Sequence, residues 1–528
     1  MPSAIHANSW RCALPALGSD YCSWSVTGIL QVGGAEVTSD NQQSHGREHA
    51  EPTLAEGNHV SRREFLKLAG IAGAALGAGA GLGGLLAACG GAEETTTTTA
   101  AATTTTAGAT PTTAAPTTTS ASAGVEMGAE VKVGFVSPIT GPLAVFATAD
   151  KYSLGLWMEA IGDGVIGDDG KKHPVSFDLR DSQSDSNRAA QVAGDLILNS
   201  QIDLMLVAST PDTVLPVVQQ CETNGVPVFA TTCPWQTFLG PNMESGYKWA
   251  YLTAFGGEDG VAVNLDLLGK IPSNKIVGMM FDNSADGNFF AGFYPPIIQG
   301  AGYTTVDGGR FQPGTEDYTA QISAFKKAGC ELVTGILNPP DFTNFWKQVA
   351  QQGLKLKAAS IQKALLFPQS AEALGEIGNG IMTELYWHPT FPWKSSLTGE
   401  SCADLANNFE SATGQQYTAA LMQYVLGEMA LYTIKNATDP KSKDALLAAI
   451  EKMKFDAIVG PIDFSAPLVD ASKPGPGHKL KNVNGQGMGG GQWLTQGGKW
   501  TFDQVPVSKA AAPFMLDSTI QAPKPLAL

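Results

Sequence analysis

From Val131 onward, short apolar runs alternate with longer stretches whose apolar residues recur at helical spacing, and this rhythm constrains the fold more than any other feature. A strand that is apolar throughout needs cover on both faces, and amphipathic helices between the runs supply it, so the pattern predicts parallel α/β sheets. Strands are expected at 131–137, 174–180, 203–208, 226–230, 275–281, 303–307, 331–337, 355–360 and 381–386. Helices are expected at 144–161, 187–200, 211–224, 257–270, 286–300, 317–328 and 340–352. A chain of 528 residues exceeds one ordinary domain, so two doubly wound α/β lobes are expected. The rhythm breaks after Tyr386 in the aromatic, Pro-rich run Trp387-His388-Pro389-Thr390-Phe391-Pro392-Trp393, and helical stretches 401–412 and 416–436 follow. With 43% hydrophobic and 16% charged residues the chain can build large cores, while a net charge of −16 repels phosphate backbones and argues against nucleic acid as partner.

The segment before residue 130 reads differently. Residues 61–67, Ser-Arg-Arg-Glu-Phe-Leu-Lys, precede an apolar run at 68–88 rich in Gly and Ala. The pattern resembles a bacterial twin-arginine export signal; the alternative is a membrane-spanning anchor, since a run of about 20 residues is just long enough to span. Leu86-Ala87-Ala88-Cys89 resembles a lipobox, which implies cleavage before Cys89, lipid on its thiol, and location on the extracytoplasmic face of the cell membrane. Residues 1–60 show no periodic pattern and are either an extended signal region or a consequence of start-site choice. Gly79, Gly81 and Gly84 match a dinucleotide-binding pattern, but no strand precedes them. Within 89–129, the stretch 95–119 is almost entirely Thr, Ala and Pro, which reads as a tether. Of seven cysteines, Cys221, Cys233, Cys330 and Cys402 remain beyond Cys89; none has CxxC spacing, and mostly buried free thiols are expected.

Val133-Gly134-Phe135-Val136-Ser137-Pro138-Ile139-Thr140-Gly141-Pro142 resembles the opening strand and turn of type I periplasmic binding proteins, specifically the branched-chain amino acid group that serves ABC importers. Asp181-Ser182-Gln183-Ser184-Asp185 with the following helix resembles that family's second strand and helix; Ala208-Ser209-Thr210 followed by Val226-Pro227-Val228 resembles its ligand-binding turn and next strand. The similarity runs from about residue 130 to about 508. It implies two α/β lobes joined by three crossovers, with a small-molecule ligand caught between them and delivered to an ABC permease, and a monomeric protein. Residues 130–252 and 386–480 are assigned to the first lobe, 253–385 and 481–510 to the second, and 511–528 to a tail.

Ligands of open parallel sheets lie beyond the carboxyl ends of the strands. Ser209 and Thr210 sit there, before Pro211 at a helix start, where their hydroxyls either cap the helix or meet a ligand carboxylate; the resemblance implies the second. Thr232 and Trp235 follow the next strand, with Trp235 either a stacking face or a core edge, and Pro234 stands where relatives usually carry a hydroxyl residue. Phe146 aligns with an aromatic that lines the cleft in relatives. Asp286, in Asp282-Asn283-Ser284-Ala285-Asp286-Gly287, either points into the cleft or belongs to a solvated turn; a calcium loop is rejected because its twelfth position is Phe293. Asn338 and Asp341 either cap a helix or face the ligand. Gln362-Lys363 reverses or removes the acidic charge that amino-acid-binding relatives place nearby, so Lys363 either meets an anionic group or lies on the surface. Trp387 offers a further apolar wall.

An exported hydrolase is the competing class, yet beyond Cys89 only His173, His388 and His478 are present, with no Gly-x-Ser-x-Gly, His-Glu-x-x-His or phosphate-binding loop. A sensory ligand-binding domain is the third, for which a signalling segment after Leu528 is expected. The reading favoured is a non-enzymatic binding protein for a small polar or amino-acid-like ligand, without cofactor or metal.

Overall fold

A computed structural model describes residues 125–466, 468–469, 479–526 and 528. The export signal, Cys89, most of the tether and His478 lie outside the described residues. Among the described residues no helix is long and apolar enough to cross a membrane.

Two sheets organise the chain. The first is parallel throughout, in the order Val483–Gly485, Ala250–Ala254, Val228–Thr231, Leu204–Val207, Val131–Ser137, Val175–Asp181. The second has the order Asp503–Ala511, Met488–Leu494, Met382–Leu385, Ala358–Gln362, Leu332–Ile336, Ile276–Phe281, Thr304–Asp307, a parallel block extended by Met488–Leu494, which runs antiparallel to both of its neighbours. Helices cover both faces, so the strands of the central pairs are wholly buried. The protein is thus a two-lobed α/β fold, and the chain passes between sheets three times, after Ala254, after Leu385 and after Gly485.

The lobe boundaries differ slightly from those read in the sequence. Thr253 and Ala254 complete a strand of the first sheet, and Val483–Gly485 pairs beside it with Val483 opposite Leu252, so the third crossing falls after residue 485. The pairing itself fixes this, because the Leu252 N–H donates to the Asn482 carbonyl at 2.8 Å and extends that edge. Residues of the tail also belong to the second lobe: Gln492 exchanges hydrogen bonds of 2.8 Å with the backbone of Lys524.

Local chemistry explains the elements that hold the binding loops. Helix Pro211–Asn224 starts with proline at its first position, where a missing N–H costs nothing, and stops at Gly225, whose φ of +66° suits glycine. Helix Val425–Asn436 packs against Trp157, which is fully buried and donates its indole N–H to the Tyr424 carbonyl at 3.1 Å. A Cβ at Gly427 would sit 2.2 Å from that ring. Gly427→Ala is therefore expected to destabilise the fold by about 1–3 kcal/mol despite the better helix propensity of alanine. Urea denaturation checks this, and an unchanged midpoint would mean that the helix slides freely over Trp157.

Candidate functional site

Four loop ends converge between the lobes. In the first lobe, the turn after Leu204–Val207 carries Ser209 and Thr210, and the turn after Val228–Thr231 carries Thr232; the Thr210 N–H donates to the Thr232 carbonyl at 3.1 Å and ties the two turns together. In the second lobe, Lys363 follows Ala358–Gln362 and Asp286 lies in the first turn of helix Ala285–Gly300. Thr210, Thr232 and Lys363 have φ values of +66°, +59° and +66°, a region that disfavours any side chain and a β-branched one most. Such strain persists only where the surroundings impose it, and it concentrates at ligand clamps.

Thr210, Thr232, Asp286 and Lys363 border a small cavity with about 10 Å³ of free space, room for about one water. Thr210, Thr232, Pro234 and Phe146 face it from the first lobe, and Asp286, Lys363, Phe290 and Ile336 from the second. Phe255 and Tyr386, which begin the first two crossovers, close its back with rings stacked 4.4 Å apart. The polar walls are unequal. Neither Ser209 Oγ nor Thr210 Oγ1 has a hydrogen-bond partner, although both are buried, and Thr210 makes no side-chain cap to the helix it precedes. The choice between capping and binding left open by the sequence therefore falls against capping.

Opposite them, Lys363 Nζ lies 3.1 Å from Asp286 Oδ2 and 3.9 Å from Asp212 Oδ2 of the first lobe. Lys363 is buried, which excludes the surface alternative, and its nearest counter-charge is an acid of its own lobe. Burial opposes its ammonium, but Asp286, Asp212 and Asp282 outweigh that effect and hold its pKa above the ordinary lysine value. Burial pushes the Asp286 carboxyl up to about 6 while Lys363 pulls it down, so at neutral pH the two form an ion pair. Asp286 Oδ1 has no partner. Glu384 anchors the strained Lys363 backbone, accepting its N–H at 2.6 Å.

The remaining sequence candidates lie elsewhere. Trp235 is buried beside the first crossover with its indole N–H on Glu258 at 2.8 Å, and Trp387 packs in the first lobe's core; neither lines the cavity. Asn338 precedes helix Pro339–Gln352 without capping it, and Asp341 accepts the Gly314 N–H at 2.8 Å; neither lines the cavity. Phe255, Phe290, Ile336 and Tyr386 were missed, although all but Phe290 stand at or just past strand ends, the signal that found Ser209 and Thr232. All four described cysteines are buried and free. His388 is buried, with its pKa lowered by that burial to about 4 and its ring bonded to Thr390, Tyr417 and the Gln504 carbonyl. A groove of about 550 Å³ beside Tyr432 and Phe455 shares no lining with the cavity, and its buried Glu428 already accepts bonds from Ser396 and Ile458.

Two α/β lobes thus bring polar loop ends together around one small interlobe cavity. The chain belongs to the periplasmic binding protein family, whose profile matches residues 130–474. It is 26% identical over 209 residues to Leu/Ile/Val-binding protein homolog 3 of Brucella melitensis, a match covering 39% of this chain and 54% of the relative. The chain thus matches about half the length of that relative. Its fold is similar to that of a solute-binding protein of an ABC transporter from Rhodopseudomonas palustris BisB5 in complex with 3,4-dihydroxybenzoic acid, with a TM-score of 0.57, 18% identity, and coverage of 75% of this chain and 99% of the other. It is similar too to a branched-chain amino acid transporter substrate-binding protein of Streptococcus pneumoniae in complex with isoleucine, with a TM-score of 0.55, 15% identity, and coverage of 71% and 99%.

Proposed function

We propose that the protein is the extracytoplasmic receptor of an ABC importer, a monomer that captures a small amino-acid-like solute between its lobes and passes it to a membrane permease without chemical change. The observation that carries this reading is the pair of buried polar atoms left without partners around one interlobe cavity, Thr210 Oγ1 on one side and Asp286 Oδ1 on the other, with Ser209 Oγ buried and unpaired in the turn beside Thr210 but outside the lining. Buried polar groups ordinarily find partners, so an incomplete set points to a ligand that completes it. Hydroxyls at the N-terminus of helix Pro211–Asn224 suit a carboxylate or other acceptor. Asp286 suits an ammonium or amide N–H, and Lys363 balances its charge. This reverses the simplest expectation for Lys363, whose charge is already met by Asp286. Relatives whose names carry leucine, isoleucine and valine, or that hold isoleucine, support the amino-acid-like class.

A thermal-shift screen of the purified protein against amino acids, short amides, dicarboxylates and aromatic acids tests the reading. A ligand at a hundred times its dissociation constant adds about 2.7 kcal/mol of stability. Small-angle scattering with that ligand should show a smaller radius of gyration as the lobes close, and mass spectrometry should recover the ligand unaltered. An unchanged radius argues against closure, and a product argues for the hydrolase.

Export and anchoring belong to the same reading. Arg62-Arg63 and the Leu86-Ala87-Ala88-Cys89 motif support twin-arginine export and lipid attachment at Cys89, with the Thr/Ala/Pro-rich stretch as a tether that holds the lobes off the membrane. The double variant Arg62→Lys, Arg63→Lys is expected to retain the precursor inside the cell, and Cys89→Ala to release the protein from the membrane fraction. Normal export of the first together with membrane association of the second would overturn this assignment.

A further inference from the structure

Two helix starts meet across the cleft, Pro211–Asn224 of the first lobe and Ala285–Gly300 of the second, with Lys363 beside them. A helix start carries orphan N–H groups and partial positive charge, so two of them repel as the lobes approach unless an anion lies between. Asp212, the second residue of the first helix, supplies that anion. Its Oδ1 accepts the N–H of Ala285, the first residue of the second-lobe helix, at 3.4 Å, and its Oδ2 lies 3.9 Å from Lys363 Nζ. Ser284 caps that helix from its own lobe through the Gly287 N–H at 3.1 Å and leaves the Ala285 N–H to Asp212. On the first-lobe side, the Ser186 hydroxyl donates to the Asp212 carbonyl at 2.6 Å and fixes the residue in place. Asp212 does not line the cavity, and its side chain is 30% exposed where those of Lys363 and Asp286 are 4% and 6%, so it closes the ion cluster from the outside. Asp286 pairs with Lys363 inside one lobe and keeps that contact however the lobes stand, whereas both side-chain contacts of Asp212 cross the lobes and exist only when they are closed.

Resting on the solute-binding reading above, in which the lobes close, we infer that Asp212 is the positioning residue of that closure: a first-lobe carboxylate that caps a second-lobe helix, meets its lysine, and holds the lobes in register without touching the solute. Its two contacts are lost on opening and regained on closing, so they set how long the closed form lasts and leave the first encounter with solute unchanged. Because the side chain is partly exposed, the effect is moderate, and removing the charge shifts the ratio of closed to open protein by about three- to tenfold.

Hydrogen exchange of the full protein without added ligand tests this, read over residues 283–288 and over the core strands Leu204–Val207 and Leu332–Ile336. Asp212→Asn, which keeps the size and removes the charge, and Asp212→Ala are expected to speed exchange over 283–288 by about three- to tenfold and to leave the core strands as they were. Asp212→Glu, which keeps the charge, is expected to stay within about twofold of the unaltered protein. Stopped-flow binding of L-isoleucine and of 3,4-dihydroxybenzoate should show a dissociation rate raised by a similar factor in Asp212→Asn, with the association rate unchanged. Unchanged exchange over 283–288 overturns the role of Asp212. An equal rise in the core strands does so too, by placing the residue in the general stability of the fold, as does a loss confined to the association rate. Binding of neither probe counts against the amino-acid-like solute proposed above, and exchange over 283–288 then decides on Asp212 by itself.

Discussion

Lys363→Met is expected to lower the folding free energy by about 3–5 kcal/mol at pH 8 and by distinctly less at pH 5. The substitution leaves Asp286 buried among carboxylates, with the Lys363 ammonium no longer 3.1 Å away. The pH dependence follows from the direction of the Asp286 shift. Burial raises its folded pKa from 3.8 to about 6, so the folded protein holds that proton more tightly than the unfolded chain. The associated stability is present in full below the unfolded value and is lost as pH rises through the folded one. Removing the lysine, which pulls this pKa down, moves the folded value higher and carries the loss further into the alkaline range. The double variant Lys363→Met, Asp286→Leu should recover most of the stability, because an apolar pair replaces a buried ion pair at little cost. Guanidinium denaturation at both pH values measures all three proteins. A loss of equal size at pH 5 and pH 8, or no recovery in the double variant, would place the defect in packing instead of charge.

Ser209→Ala combined with Thr210→Val is expected to weaken the tightest-binding amino acid of the thermal-shift screen by about 100- to 1,000-fold, while leaving the unliganded protein as stable as before or slightly more so. The two effects separate because the hydroxyls have no partner within the protein. Deleting them costs the free fold nothing, whereas a ligand carboxylate loses two charge-assisted bonds. Valine keeps the shape of Thr210, so the backbone strain at φ +66° is common to both proteins. Calorimetry reads the affinity and denaturation the stability. Retained affinity would remove both residues from the site, and a large stability loss would show that the hydroxyls serve the fold.

Much of the architecture is legible because apolar periodicity is a local property. Helix Pro211–Asn224 falls where proline, apolar spacing and Gly225 place it, and the nine expected strands all lie in the two sheets. The strands that escape notice have local reasons. Met488–Leu494 contains three consecutive glycines, which read as a loop, yet a Cβ at Gly490 or Gly491 would meet Ser508, Val263, Leu267 or Leu385 at 2.6–3.0 Å. Glycine is there because neighbouring elements approach closely, and no one-dimensional pattern carries that. Ala250–Ala254 is five residues long and begins and ends in alanine, a weak strand signal that its two flanking parallel partners override.

By itself the sequence determined the alternation of elements, the strand ends where hydroxyl residues cluster, and hence the loops from which a site is built, since all of these depend on neighbours a few positions apart. Only the tertiary structure decided what those loops become together. It joined Lys363 to Asp286, 77 positions away, and to Asp212, 151 positions away, left the Ser209 and Thr210 hydroxyls unpaired, and sent Trp235 and Trp387 into other contacts. It also brought Tyr386 and Phe255, 131 residues apart by number, into one stack at the crossovers. Charge pairing and burial are properties of distance in space, and in a fold that crosses three times between two lobes, distance in space is set by how the lobes close.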